Sequence, residues 1–362
     1  MGRFEPAANP RDAIERGFYV PRPGRSLGEE LAARFEVKPS ASHLLVGGVG
    51  SGKTTQLLVA RDGLGSLGDV CAVYIDVSLA RDPKSIWWGE LLAVVGVALA
   101  AQLGSFAKSR LQGDVDFLEL ITEPDGEEWR DGTEDAVMTA IRAVLSELAK
   151  ETPHVVVLID SLDRMTDLDR FQMIATEAVP RLRSLGIGVI LIGPLTAIYG
   201  LGGTIADRFD RFHHLPAVDV QNDAEGRDFL LHVLRARDQS GLLSEEAARD
   251  LASFSGGVLR DLIALAQLAG EEAYVDGADR VERRHVEAAA DIFGRKQMAA
   301  LDSTQVQSLQ SVRKNGTFVQ MSERDLALLS TRRVLEYPHG NPRFAVHPTM
   351  ESLLAQVAAA AE

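Results

Sequence analysis

A chain of 362 residues is long enough for two or three domains, and 46% hydrophobic with 25% charged residues is an ordinary globular balance. A net charge of −14 provides no global field for nucleic acid or an anionic membrane, and the single cysteine, Cys71, excludes an internal disulfide and makes a reducing cytoplasm the simplest setting. The N-terminus has no apolar signal core, and the longest apolar run, Leu91–Ala101, is too short to cross a bilayer, so no membrane contact is expected.

From Gly17 to about Pro216, apolar runs of four to six residues alternate with helical periodicity. Strands are expected at His43–Val46, Val70–Val77, Val155–Asp160, Gly188–Ile192 and Phe212–Val218. Helices are expected at Thr54–Arg61, Ser85–Leu103, Glu134–Glu151 and Leu168–Leu185. Buried strands separated by helices imply a parallel sheet in an α/β three-layer domain, residues 1–220. Between Asp114 and Asp135, ten carboxylates face one base, Arg130, and this run reads as a solvated loop.

After Val220 the strand signals stop. Asp223–Arg237, Ser244–Phe254, Val258–Tyr274 and Glu282–Phe293 read as amphipathic helices, a helical lid over 221–295. Ser244-Glu245-Glu246 supplies a serine cap and acids in a first turn. Residues 296–362 hold helices near Ser303–Arg313 and Glu323–Leu329, then Arg333–Tyr337, a turn at 338–342 and Arg343–Val346. Helices followed by a hairpin suggest a winged helix.

The chemistry is densest at residues 47–54, Gly47-Gly48-Val49-Gly50-Ser51-Gly52-Lys53-Thr54, a complete phosphate loop. Gly47, Gly50 and Gly52 free the backbone to turn N–H groups toward phosphate oxygens. Lys53 is placed to reach the β- and γ-phosphates, and the Thr54 hydroxyl to ligate Mg²⁺, with Thr55 beside it in the first helical turn. The second signal is Val155–Asp160, an apolar strand that delivers a carboxylate to the end where open α/β sheets bind ligands. Asp160 is therefore the second expected magnesium group. Ser161 follows it, and Asp163 is the nearest further acid able to orient an attacking water; the alternative is a cap paired with Arg164.

Together, the Lys53 loop, Leu-Ile-Asp-Ser-Leu-Asp-Arg at 158–164, the helical lid and the winged helix resemble AAA+ and STAND-type P-loop ATPases, including origin-recognition initiators and bacterial STAND-like switches. The resemblance implies ATP or ADP with Mg²⁺. It places Tyr19 and Val20 against the adenine, with a core-packing arm as the alternative. Many such ATPases carry a glutamate directly after the magnesium aspartate, where this chain has Ser161. A polar sensor is expected after the fourth strand, where Gly193 and Pro194 offer none and Thr196 is the nearest candidate; slow hydrolysis follows. Arg208 and Arg211 fall where an arginine finger would reach a neighbouring subunit, unless they pair with Asp207 and Asp210. Arg260 matches the lid arginine that closes onto phosphates, unless it pairs with Asp261. His347, in Phe344-Ala345-Val346-His347-Pro348, is similar to the STAND histidine that touches an ADP phosphate, with a buried core histidine as the alternative.

Two functional classes follow. One is a nucleotide-driven switch that assembles or engages a separate partner protein, a type of role that the resemblance places in bacterial defence or signalling. The other is a DNA-binding initiator or loader. Residues 295–362 carry eight basic against six acidic side chains, a net +2 that falls short of a strongly basic footprint. A small-molecule kinase is a third reading that leaves the lid and winged helix without a use.

Overall fold

The computed structural model describes residues 4, 10–24, 26–123, 129, 132–199, 203–299, 301–319, 322–338 and 342–361. Residues 339–341 of the expected turn, and residues 124–128, 130 and 131 of the acidic run, lie outside the described residues. Two compact units emerge. One holds residues 27–46 and 56–214, the other residues 1–26, 47–55 and 215–362.

The unit containing 27–46 and 56–214 is built on a five-stranded sheet: β1 (Ser42–Gly47), β2 (Val70–Asp76), β3 (His154–Asp160), β4 (Gly188–Ile192) and β5 (Arg211–Leu215), in the order β2-β3-β4-β1-β5. The β2–β3, β3–β4 and β4–β1 pairs are parallel. Both faces are covered, which makes the three-layer α/β arrangement. Leu44, Val46, Val157 and Ile159 join one large core with Leu91, Leu92, Ile141 and Phe171. On the opposite face His43 packs on Phe35, with ring centroids 4.7 Å apart. Phe35 belongs to the helix Leu27–Val37, which the sequence reading missed.

The acidic run is corrected. Gln112–Thr122 is a helix, with Val115, Leu118 and Ile121 buried and Asp116 and Glu119 exposed. The apolar residues recur at a three-residue spacing that keeps them on one helical face. Each buried side chain contributes roughly 1.5–3 kcal/mol, while repulsion between like charges costs only a few tenths. Burial therefore decides the conformation. The long apolar helix is also trimmed, to Trp88–Ala100: Trp87 is extended, and its N–H donates to Glu90 Oε2 at 3.1 Å. Leu168–Ser184 runs as consecutive helical segments with a π-type stretch at Ile174–Ala178.

His43 Nδ1 lies 3.0 Å from His213 Nε2, joining β1 and β5. Burial first, then the neighbouring His213 and Arg34, pulls His43 from the usual histidine value down to about 3. Between pH 6.5 and 3 the unfolded chain therefore binds the extra proton. Stability is full above that window and falls as pH drops through it, by at most about 1.4 kcal/mol per pH unit. Urea midpoints at pH 7, 5.5 and 4.5 should fall steadily, and His43→Gln should flatten the slope. An unchanged slope in that variant would contradict the assignment.

In the other unit, the helices Ala224–Arg237, Glu245–Phe254, Leu259–Val275 and Arg283–Met298 enclose a core that includes Leu230, Leu251, Leu262, Leu265 and Val286. Asp223 caps the first through Gly226 N at 2.8 Å, and Ser244 the second through Ala247 N at 3.1 Å. Ser303–Asn315 and Glu323–Ser330 follow, then an antiparallel hairpin of β6 (Val334–Tyr337) and β7 (Arg343–Val346), then Glu351–Ala361. Helices, hairpin and closing helix fit a winged helix. The last helix was not read from sequence.

Candidate nucleotide site

β1 ends at Gly47, the phosphate loop follows, and the helix Lys53–Gly65 opens on the loop's lysine. Gly50 and Gly52 take φ of +82° and +97°, which turn the backbone in a way that favours glycine. At Gly47 a Cβ would stand 2.4 Å from Leu215 O, so only glycine allows that approach. Lys53 is buried, and its ammonium donates to Gly47 O at 2.9 Å and Gly48 O at 3.1 Å. The Ser51 hydroxyl is buried with no hydrogen-bond partner among the described residues. A left-handed glycine turn running into a helix N-terminus, with a lysine folded over it, suits a polyphosphate.

The sequence reading missed Arg22. Its guanidinium donates to Ser51 O at 3.0 Å and Pro216 O at 3.3 Å and lies 5.8 Å from the Phe229 ring centroid. Burial lowers its pKa. The N-terminal arm thus grips the phosphate loop from the polypeptide side. Tyr19 hydrogen-bonds Ser26 Oγ at 3.3 Å, and Val20 packs against the lid core.

The lid meets the loop through the first turn of Leu259–Val275. Arg260 N donates to Gly50 O at 3.3 Å, and a Cβ on Gly50 would stand 2.5 Å from Arg260 Cβ. The expected alternative, an Arg260–Asp261 pair, gives way to another partner. Asp261 is 1% exposed and is held bidentately by Arg332, at 2.8 and 3.0 Å. His347 is fully buried, with Nδ1 2.8 Å from Thr349 Oγ1, Nε2 3.5 Å from Asp261 Oδ2 and its ring stacked on Phe293. Burial would raise the Asp261 carboxyl, but His347 and Arg332 outweigh it and hold it below the usual range. Arg332 sits at φ +63°, a left-handed position unusual for a side-chain-bearing residue.

In the sheet unit, Asp160 closes β3, buried, with Oδ2 accepting from Tyr74 Oη at 2.8 Å and Oδ1 from Ser161 N at 2.6 Å. Asp76 stands opposite it in the β2–β3 register. It accepts from Ser161 Oγ at 2.6 Å, Ser78 Oγ at 2.7 Å and Ser78 N at 3.0 Å. A sequence signal for Asp76 existed: Val73-Tyr74-Ile75-Asp76 has the same form as Val157-Leu158-Ile159-Asp160. Asp163 lies in the short turn Leu162–Arg164 and is half-buried. Thr196 sits just past β4, its hydroxyl buried without a partner among the described residues. Arg208 and Arg211 are exposed and form no ion pair with a described residue. Asp210 binds Lys38 at 2.7 Å and Arg183 at 2.9 Å instead, so the expected salt-bridged turn does not form with it. The Asp160 carboxylate is a hard oxygen donor of the kind Mg²⁺ selects, and so, in the other unit, is the Thr54 hydroxyl; among the described residues no cluster of three or more histidine, cysteine and carboxylate groups able to hold a metal is found.

No family model matches the chain, and no curated protein matches it. Solved structures do. The ORC2 protein of Aeropyrum pernix, determined in ADPNP–ADP complexes, superposes with a TM-score of 0.51 at 16% identity, covering 95% of this chain and 98% of that one. Cdc6p of Pyrobaculum aerophilum gives 0.50 at 14% identity, covering 99% and 97%. This chain shares the fold of these two structures, a parallel α/β sheet domain followed by helical and hairpin elements. No described helix is long and apolar enough to cross a membrane.

Proposed function

We propose that the chain is a nucleotide-driven switch. It binds ATP with Mg²⁺, hydrolyses it slowly, and passes its nucleotide state to a separate partner protein through the lid and C-terminal domain. The observation that carries this reading is the first turn of Leu259–Val275, which bonds the phosphate loop at Gly50 through one residue and the C-terminal domain at Arg332 through the next. In this reading Gly47 to Thr55 cradle the phosphates, Lys53 and Arg260 bind their charge, and Tyr19 and Val20 flank the base. Thr54 and Asp160 would hold the magnesium, which neutralises phosphate charge when bound. Thr196 would accept the sensor role. His347 serves the reading as an anchor of the Asp261 cluster rather than as a phosphate ligand.

The charge inventory favours a protein partner over DNA. Of the eight basic residues in 295–362, Arg295, Arg313, Arg324, Arg332 and Arg343 pair with Asp291, Glu351, Asp302, Asp261 and Asp219. Arg333 donates to the Gln297 and Ala299 carbonyls. Little uncompensated positive charge is left to attract a phosphate backbone.

The second reading, a DNA-binding initiator, is favoured by the likeness of fold to ORC2 and Cdc6p. Mass measured by light scattering in ADP and in a non-hydrolysable ATP analogue separates the two. A nucleotide-dependent change in assembly, with no salt-sensitive duplex binding in a gel shift, supports the switch. Unchanged mass with tight, salt-sensitive duplex binding supports the initiator and overturns it.

A further inference from the structure

The strongest unassigned cluster is the pair of strand-end carboxylates and the serine between them. Ser161 adopts φ +74° and ψ −1°. For a residue with a side chain, that left-handed conformation costs on the order of 1–2 kcal/mol, so the surroundings must hold it there. They do: Ser161 N is bound to Asp160 and Ser161 Oγ to Asp76, both at 2.6 Å.

The polarity of the second bond is fixed. An ionised carboxylate only accepts, so the Ser161 hydroxyl must donate its one proton to Asp76. Burial opposes the Asp76 charge, but the hydrogen bonds from Ser161 and Ser78 outweigh it and keep the carboxyl ionised below the usual range. The Ser161 oxygen therefore has only lone pairs left to offer. A water that donates to it is turned with its own lone pair outward. That is the orientation a nucleophile needs, and Ser161 provides it one residue after the proposed magnesium aspartate.

We propose that Asp76 is a positioning residue that acts through Ser161 to orient the water for hydrolysis. This rests on the ATPase reading above. In the step, the water oxygen forms a new bond to the γ-phosphorus. The bond from that phosphorus to the bridging oxygen breaks and leaves its electron pair on ADP. Both water protons depart on the phosphate, as dihydrogen phosphate, so the pair orients the water and retains no proton.

Two variants test the pair with little structural disturbance. Asp76→Asn keeps an oxygen to cap Ser78 N, because asparagine caps as well as aspartate. Ser161→Gly keeps the left-handed turn and removes only the hydroxyl. The full chain is assayed with Mg²⁺ for ATP affinity by calorimetry and for single-turnover hydrolysis at saturating ATP. Each variant should bind ATP within about threefold of wild type and hydrolyse it about tenfold or more slowly. The double variant should be no slower than the slower single one, since both remove one unit. Wild-type rates in both variants, or a rate loss confined to Asp163→Asn, overturn the proposal. So does weakened ATP or magnesium binding with an unchanged saturated rate, which would make the pair part of the binding site. Wild-type protein that binds no ATP would instead sink the ATPase reading itself, before either variant is compared.

Discussion

Lys53→Ala is expected to lower ATP affinity by at least about a hundredfold while leaving the fold intact. A unit charge about 4 Å from a phosphate charge is worth roughly 4 kcal/mol at the effective dielectric of a partly buried site, or close to three decades in affinity. Lys53 bonds the loop at the Gly47 and Gly48 carbonyls, at its N-terminal end. Arg22 faces the Ser51 and Pro216 carbonyls, and Arg260 touches Gly50 through its backbone. The alanine variant gives up two hydrogen bonds from an ammonium to Gly47 O and Gly48 O, a modest stability loss of about 1–3 kcal/mol. Calorimetric titration with ATP reads the first effect and urea unfolding the second. ATP affinity within about threefold of wild type would remove Lys53 from the phosphate site.

The second large effect concerns the join between lid and C-terminal domain. Asp261→Ala leaves the Arg332 guanidinium, 18% exposed, without its carboxylate and beside the buried His347. Breaking a buried pair from one side costs about 3–5 kcal/mol. The Arg332 backbone adds to this, because its left-handed conformation is retained while the bond that rewards it is gone. Arg332→Gly relieves the backbone strain, since glycine accepts that conformation, but leaves the more buried partner, Asp261, unpaired, so it should cost at least as much. The pH dependence is also set. Asp261 titrates below the usual carboxyl value, so its contribution is present above the unfolded value near 4 and is lost as pH falls through the lower folded one. Urea unfolding at pH 7 checks the order of the two variants. An Asp261→Ala cost below about 1 kcal/mol would show that the cluster is not a buried ion pair in solution.

The parts of the fold legible in the sequence are those written in local patterns. The phosphate loop, the Val155–Asp160 strand end, the serine-capped lid helix and the hairpin all lie within short windows, where backbone freedom, burial period and capping act on neighbours. Gln112–Thr122 was hidden because its carboxylates belong to a longer acidic run that masks the three apolar residues that fix it. Leu27–Val37 was hidden although Phe35 packs on His43 only eight residues later, because that contact exists only once β1 is placed in the sheet. The site divides in the same way. Asp160 announces itself by position, whereas Asp76 matters only once the β2–β3 register sets it opposite. Arg260 was singled out by motif. The partner of its neighbour, Arg332, is 71 residues away from Asp261, a pairing only the tertiary structure reveals.

Everything rests on nucleotide bound at the turn between β1 and Lys53. Isothermal titration of ATP and ADP into the full chain, with Mg²⁺ supplied, measures that directly. One-site binding to both, weakened for ATP when magnesium is chelated and lost in Lys53→Ala, is the predicted result. A folded wild-type protein that takes up neither nucleotide would contradict the account at its foundation.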